Sequence, residues 1–204
     1  GCIPTIAPFV LGKIARKSAT SYPQLQLMLQ EDTSDNLLAG LAEGEVDMAI
    51  MALPYKTDGF NEVVLAEDAF NLVLHKQLAK DYPSNEVKHL PAGSIFLLKK
   101  EHCLSEHSKS LCKIVEQTKI HGFSATSLHT LVQMVDTRQG VTFLPQMAIN
   151  SDILAGTELV TRHAQPVGAH RKIALLWRKT NKRVDTFVNL AMIISEVVRQ
   201  KCAK

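Results

Sequence analysis

Three short runs with almost no polar interruption, MAIMAL (Met48 to Leu53), GVTFLP (Gly140 to Pro145) and KIALLWRK (Lys172 to Lys179), constrain this chain most. Strands that are apolar on both faces need cover on both faces, which is the situation of a largely parallel sheet under helices. Helical patterns fall between the runs, as that arrangement requires. Ile6, Phe9, Val10, Ile14 and Ala15 recur at helical spacing between Pro4 and Tyr22, and Leu37, Leu38 and Leu41 do so from Asp35 to the glycine stop at Gly44. Helices are also predicted over Leu104 to Gln117 and Thr126 to Thr137. Val184, Phe187, Val188, Ala191, Ile194, Val197 and Val198 trace one face of a closing helix. The alternation Leu25, Leu27, Leu29 reads as a strand, as do Phe70 to Lys76 and Ser94 to Lys99. The fold class is α/β.

The 204 residues suffice for one ordinary domain or two small ones, and 46% hydrophobic against 21% charged residues excludes a disordered chain. No repeat, low-complexity tract or Gly/Ser linker divides the chain. Two subdomains must then be joined by short crossovers, near Glu67 to Ala69 and Gly168 to His170, where the pattern pauses. The expected division is residues 1–68 with 171–204, and residues 69–170. The richest apolar stretch, Val184 to Val198, is interrupted by Asp185, Asn189, Ser195 and Glu196, so none approaches the roughly 20 residues of a spanning helix.

Twenty-three Lys and Arg against twenty Asp and Glu leave +3, scattered along the chain, and present no broad phosphate-binding face. Four cysteines, Cys2, Cys103, Cys112 and Cys202, are too few for a disulfide scaffold and favour a reducing compartment, the cytoplasm. The opening residues lack the features of a signal peptide and resemble a strand end running into a helix, so the chain is expected to begin inside a longer protein.

Chemistry concentrates in KKEHCLSEHSKSLCKIVEQ, Lys99 to Gln117. With an apolar strand before it and a helical face after it, Cys103 falls at a helix N-terminus. Free N–H groups and the macrodipole there favour an anion, and a thiolate is one. Lys99, Lys100 and His102 add positive charge. The competing reading is a small hydrophobe filling space. Zinc would draw on Cys103, His102, His107, Cys112 and His121, but the cysteines stand nine positions apart rather than at the short spacing of metal pairs. No metal or other cofactor is expected. A cysteine hydrolase would need a histidine oriented by Asn or Asp, which the sequence does not identify. Thr5, in IPTIAP, and Thr33, Ser34 and Asp35, in EDTSDN, occupy strand-to-helix turns that either cap helices or bind a ligand; Ser124, Thr126 and Ser127 stand in the same way before a later helix. A cleft between the subdomains, lined by these turns, suits a small polar ligand.

IPTIAPFVL, YPQLQLMLQED, GEVDMAI, SATSLHTLVQMV and GVTFLPQMA together resemble the effector-binding domain of LysR-type transcriptional regulators, over nearly the whole chain. EHCLSEHSKSLC resembles the segment of that family's hydrogen peroxide sensors, with a His-Cys-Leu core and a second cysteine nine positions on. The resemblance implies two Rossmann-like subdomains in a periplasmic-binding-protein-like arrangement, dimers of effector domains, tetramers of the full protein, and promoter DNA bound by an N-terminal helix-turn-helix domain outside this chain. It implies Cys103 as the peroxide-reactive cysteine and Cys112 as its disulfide partner. Thr5, Ser34, His102 and Arg171 are implied to hold peroxide, Ser34 standing where the family has threonine. A glutaredoxin- or thioredoxin-type reductant would reset the switch. Two rivals remain: a LysR-type domain binding a small metabolite in its cleft without thiol chemistry, and a thiol peroxidase that turns over. A regulator rather than an enzyme is expected.

Overall fold

The structure, a computed structural model, describes residues 1–82, 84–99, 101–111, 117–164, 169–181 and 184–203. The chain divides into two compact units, Gly1–Glu67 with Lys172–Lys204, and Asp68–Arg171. Both boundaries fall inside strands, β2 (Phe60–His75) and β7 (His170–Arg178).

In the first unit, Cys2 is bridged in parallel to Glu31 on one side and to Ile50 on the other. Ile50 belongs to β1 (Met48–Leu53), which pairs with β7 from Met48 opposite Trp177 to Leu53 opposite Lys172. That pairing is antiparallel, so the MAIMAL run owes its continuous apolarity to cover on both faces rather than to an all-parallel ladder. Helix α1 (Ala7–Ser21) follows Cys2 directly and packs on α7 (Val184–Cys202), with Lys17 ion-paired to Glu196 across them. Helix α2 (Ser34–Glu43) covers β1 and stops at Gly44, whose φ of 91° is the left-handed cap that glycine supplies without strain. Leu25 to Leu29 forms no ladder strand: its neighbour offers only the single bridge at Cys2, and Met28 is 90% exposed.

The second unit is built on β2, flanked by β5 (Val141–Pro145) and β6 (Leu159–His163), both antiparallel to it. β5 runs parallel to β3 (Ile95–Leu98), and β3 parallel to β4 (Ile120–Ala125). Short α3 (Leu78–Asp81) and α6 (Gln146–Ile149) follow β2 and β5, and α4 (Cys103–Leu111) and α5 (Leu128–Asp136) follow β3 and β4. The sequence reading missed β4, β6 and the first ten residues of β2. All three carry exposed charged or polar residues that break the apolar pattern. The helix expected over Leu104 to Gln117 is described only to Leu111, and Gln117–Lys119 forms a separate single turn.

Gly140 links α5 to β5 where the backbone runs tightly under β3. A Cβ there would lie 2.1 Å from the Ser94 carbonyl oxygen and 2.9 Å from the Phe96 ring. Backbone cannot yield as a flexible side chain does. Gly140→Ala is therefore expected to cost at least about 1–3 kcal/mol, as overpacking does. The urea midpoint reads this directly, and an unchanged midpoint would show that β5 and β3 can separate without cost.

Candidate functional site

The turn between β3 and α4 is fixed by backbone hydrogen bonds. The Lys99 N–H donates to the Ala125 carbonyl at 2.8 Å, the His102 N–H to that of Lys99 at 3.0 Å, and the Ser105 N–H to that of His102 at 2.9 Å. They set Cys103 as the first residue of α4, where the sequence placed it. The thiol is not in a disulfide and its residue is only 9% exposed.

What is buried with it is unusual. Leu104 is buried, but so are His102, Ser105, His107 and Ser108, while Glu106 faces outward and pairs with Lys109 at 2.9 Å. Neither ring nitrogen of His102 has a hydrogen-bond partner among the described residues, and its Nε2 lies 4.0 Å from a Glu101 carboxylate oxygen, beyond bonding distance. Cys103 thus stands at the positive end of a helix that also buries polar side chains. No cluster of three His, Cys, Asp or Glu among the described residues is placed to hold a metal ion. Cys112 and Lys100 lie outside the described residues.

Arg171 is fully buried, and so is Asp68. The Arg171 Nε and Nη2 both donate to Asp68 Oδ2, at 3.1 and 3.0 Å, and the Met147 N–H donates to Oδ1 at 2.9 Å. The family resemblance singled out Arg171 but not Asp68, which the sequence pattern placed in a crossover. A signal was there: an acid inside AEDAFNLVLH, which otherwise reads as buried strand, must be paired if it is buried.

In the first unit, Thr5 follows the Cys2 bridge on the approach to α1 and is buried. Thr33 is the N-cap of α2, its hydroxyl accepting from the Asn36 N–H at 3.4 Å, so the capping reading holds for it. Ser34 is the first helical residue rather than a residue before the helix. Its buried Oγ has no hydrogen-bond partner among the described residues. Ser124 is corrected: it is an exposed β4 residue paired with Leu97, because the strand continues to Ala125, and it caps nothing. Thr126 is exposed beyond that strand, and Ser127 caps α5 by accepting from the Thr130 N–H at 3.2 Å. Two cavities of about 700 and 340 Å³ open in the first unit, and none of the expected site residues lines either.

Removing one member of the Asp68–Arg171 pair leaves a buried charge uncompensated. Arg171→Ala is expected to lower stability by about 3–5 kcal/mol, and the Asp68→Ala/Arg171→Ala double variant to lose less than the two single variants summed. Urea denaturation of the four proteins checks this; strict additivity would mean that the pair is not coupled.

Residues 1–192 match the LysR substrate binding domain. The chain is 32% identical over 198 residues to the HTH-type transcriptional regulator EstR of Acinetobacter baylyi, covering 97% of this chain and 65% of that protein. It is 33% identical over 203 residues to the probable hydrogen peroxide-inducible genes activator of Mycobacterium leprae, covering 97% and 64%. The chain therefore spans just under two thirds of these relatives' length. Among solved structures, it is similar to the reduced regulatory domain of OxyR2 from Vibrio vulnificus, with TM-score 0.91, 46% identity, and 97% and 93% of the two chains covered.

Proposed function

Belonging as it does to the LysR substrate-binding domain family, the chain is, we propose, the regulatory domain of a hydrogen peroxide-sensing transcription factor. The observation that carries this is Cys103 at the first position of α4, buried in a segment that also buries His102, Ser105, His107 and Ser108. The similarity to the Mycobacterium leprae peroxide activator and to the OxyR2 regulatory domain supports it.

The Cys103 thiolate attacks one peroxide oxygen. The S–O bond forms, the O–O bond breaks, and the other oxygen leaves with the electron pair as hydroxide; the sulfur becomes a sulfenic acid. Arg171 and His102 stabilise the negative charge that grows on the departing oxygen. Thr5 and Ser34 keep the peroxide-binding roles the family resemblance assigns, and the spare hydroxyl of Ser34 suits one. Cys112 then displaces water from the sulfenic acid to close a disulfide.

That second step forces a structural change. Along α4, Leu111 stands eight residues from Cys103, a rise of about 12 Å. A disulfide needs its Cα atoms within about 7 Å, and one trans peptide spans only about 3.8 Å. Cys103 can reach position 112 only when α4 leaves its helical path. In the whole regulator, this change in an effector-domain dimer within a tetramer passes to an N-terminal helix-turn-helix domain on promoter DNA, and a glutaredoxin- or thioredoxin-type protein reverses it in the cytoplasm.

Mass mapping after a stoichiometric dose of peroxide tests the reading. Cys103 is expected to react before Cys2 and Cys202, to appear linked to Cys112 in the parent chain, and to stay a sulfenic acid in Cys112→Ser. A Cys103 left unmodified would instead support a domain that binds a metabolite without thiol chemistry. Sustained peroxide turnover with a reductant would mark a peroxidase.

A further inference from the structure

Four of the seven large apolar side chains that stand exposed among the described residues, Val63, Val64, Val188 and Met192, border one cavity of about 700 Å³ in the first unit. Single exposed apolar residues are ordinary on a protein surface, but a contiguous set around a concavity marks a binding surface. The volume lies within the range of about 300–1,000 Å³ that small-molecule sites occupy. One wall is β2, through Val63, Val64 and Leu65, and the other is α7, with Trp177 of β7 also lining the space. On α7, Val188, Met192, Ser195 and Arg199 follow one another at helical spacing, so they form one stripe that passes from apolar to polar over about 16 Å.

The polar end is cationic. The charged side chains that line the cavity are Glu196 and Arg199. Glu196 is already occupied: its Oε1 accepts from the Lys17 ammonium of α1 and from the Gln200 amide at 3.1 Å. Arg199 is anchored but not neutralised. Its Nε donates to the Leu65 carbonyl at 3.0 Å, which holds the guanidinium against β2, while Nη1 and Nη2 have no hydrogen-bond or carboxylate partner among the described residues. An apolar trough that ends on such a guanidinium is complementary to an apolar tail that ends on a carboxylate, because paired N–H donors match two carboxylate oxygens.

We propose that the cavity between β2 and α7 is a binding site for an amphipathic carboxylate, an alkyl or acyl chain of medium length whose head meets Arg199 and whose tail lies along Met192 and Val188. Neither Cys103 nor any residue assigned to peroxide lines it, so the site stands independently of that chemistry.

The test titrates the intact chain with octanoate, below its micellar concentration, and with octylammonium, which has the same tail and the opposite charge. Trp177 is the only tryptophan of the chain and lines the cavity, so its fluorescence reports occupancy, and equilibrium dialysis gives the stoichiometry. Octanoate is expected to saturate at one per chain and to bind about fivefold or more tightly than octylammonium, the discrimination that a favourable exposed ion pair supplies. Arg199→Gln is expected to remove most of that difference. Met192→Glu, which sets a carboxylate in the apolar trough, is expected to abolish octanoate binding. Both positions are exposed, so neither substitution touches the core. Absence of saturable octanoate binding would overturn the proposal, as would octylammonium bound equally well by the parent chain, or octanoate binding that neither variant changes. A parent chain that self-associates, takes up no octanoate and becomes monomeric in Met192→Glu would also overturn it, and would assign this face to a second copy. The first comparison is made in the parent chain alone, so it decides the matter even if a variant does not fold.

Discussion

Among the α4 residues whose burial is described, Cys103, Leu104, Ser105, His107 and Ser108 are buried, with His102 just before them. Burial of hydrocarbon stabilises a helix by about 25 cal/mol per Å², and serine and histidine contribute little of that while paying to lose water. Among the α4 side chains whose burial is described, Leu104 is the one large hydrocarbon. The elements around it are held differently: β3 (Ile95–Leu98) and α5 bury continuous apolar surface. A local switch of the kind proposed for Cys103 needs a segment that can change its path while β3 and α5 keep their packing.

The frame has its own polar anchor in Asp68 and Arg171. A buried ion pair adds little net stability over hydrocarbon of the same shape, because desolvation offsets most of the attraction. Its effect is to specify geometry: β2, β7 and the first turn of α6 meet in one arrangement that satisfies both charges and the Met147 amide. Division of the chain at Glu67/Asp68 and Arg171/Lys172 puts both partners in the second unit, one residue inside each boundary. The two strands that pass between the units are thus tied to each other where they enter the second. The same pair joins the Arg171 side chain to β2 through two hydrogen bonds to one Asp68 oxygen.

What was legible in the sequence follows from how each element earns its burial. β1, β3, β5 and β7 are apolar almost throughout and were read correctly as strands, as were the helices whose apolar positions recur at helical spacing. β4 and β6 have one face in solvent and a polar composition, IHGFSA and LVTRH, that gives no clear period over so few residues. Leu25 to Leu29 alternates as a strand should but lacks a ladder to join. Of the candidate site residues, Cys103 and His102 stood out as a thiol and a basic side chain at a strand-to-helix junction, whereas Arg171 was singled out only by the family resemblance. Asp68 showed as an acid inside an otherwise apolar strand, but its partner Arg171 stands 103 residues away in sequence. No periodicity carries that information.

Amide hydrogen exchange over Leu104 to Leu111, compared between the reduced chain and the chain treated with one equivalent of peroxide, tests the coupling of thiol chemistry to α4 most directly. The account predicts that protection across this segment is lost on oxidation, while β3 and α5 keep theirs. Identical exchange in the two states would contradict it, even if Cys103 proved fully reactive.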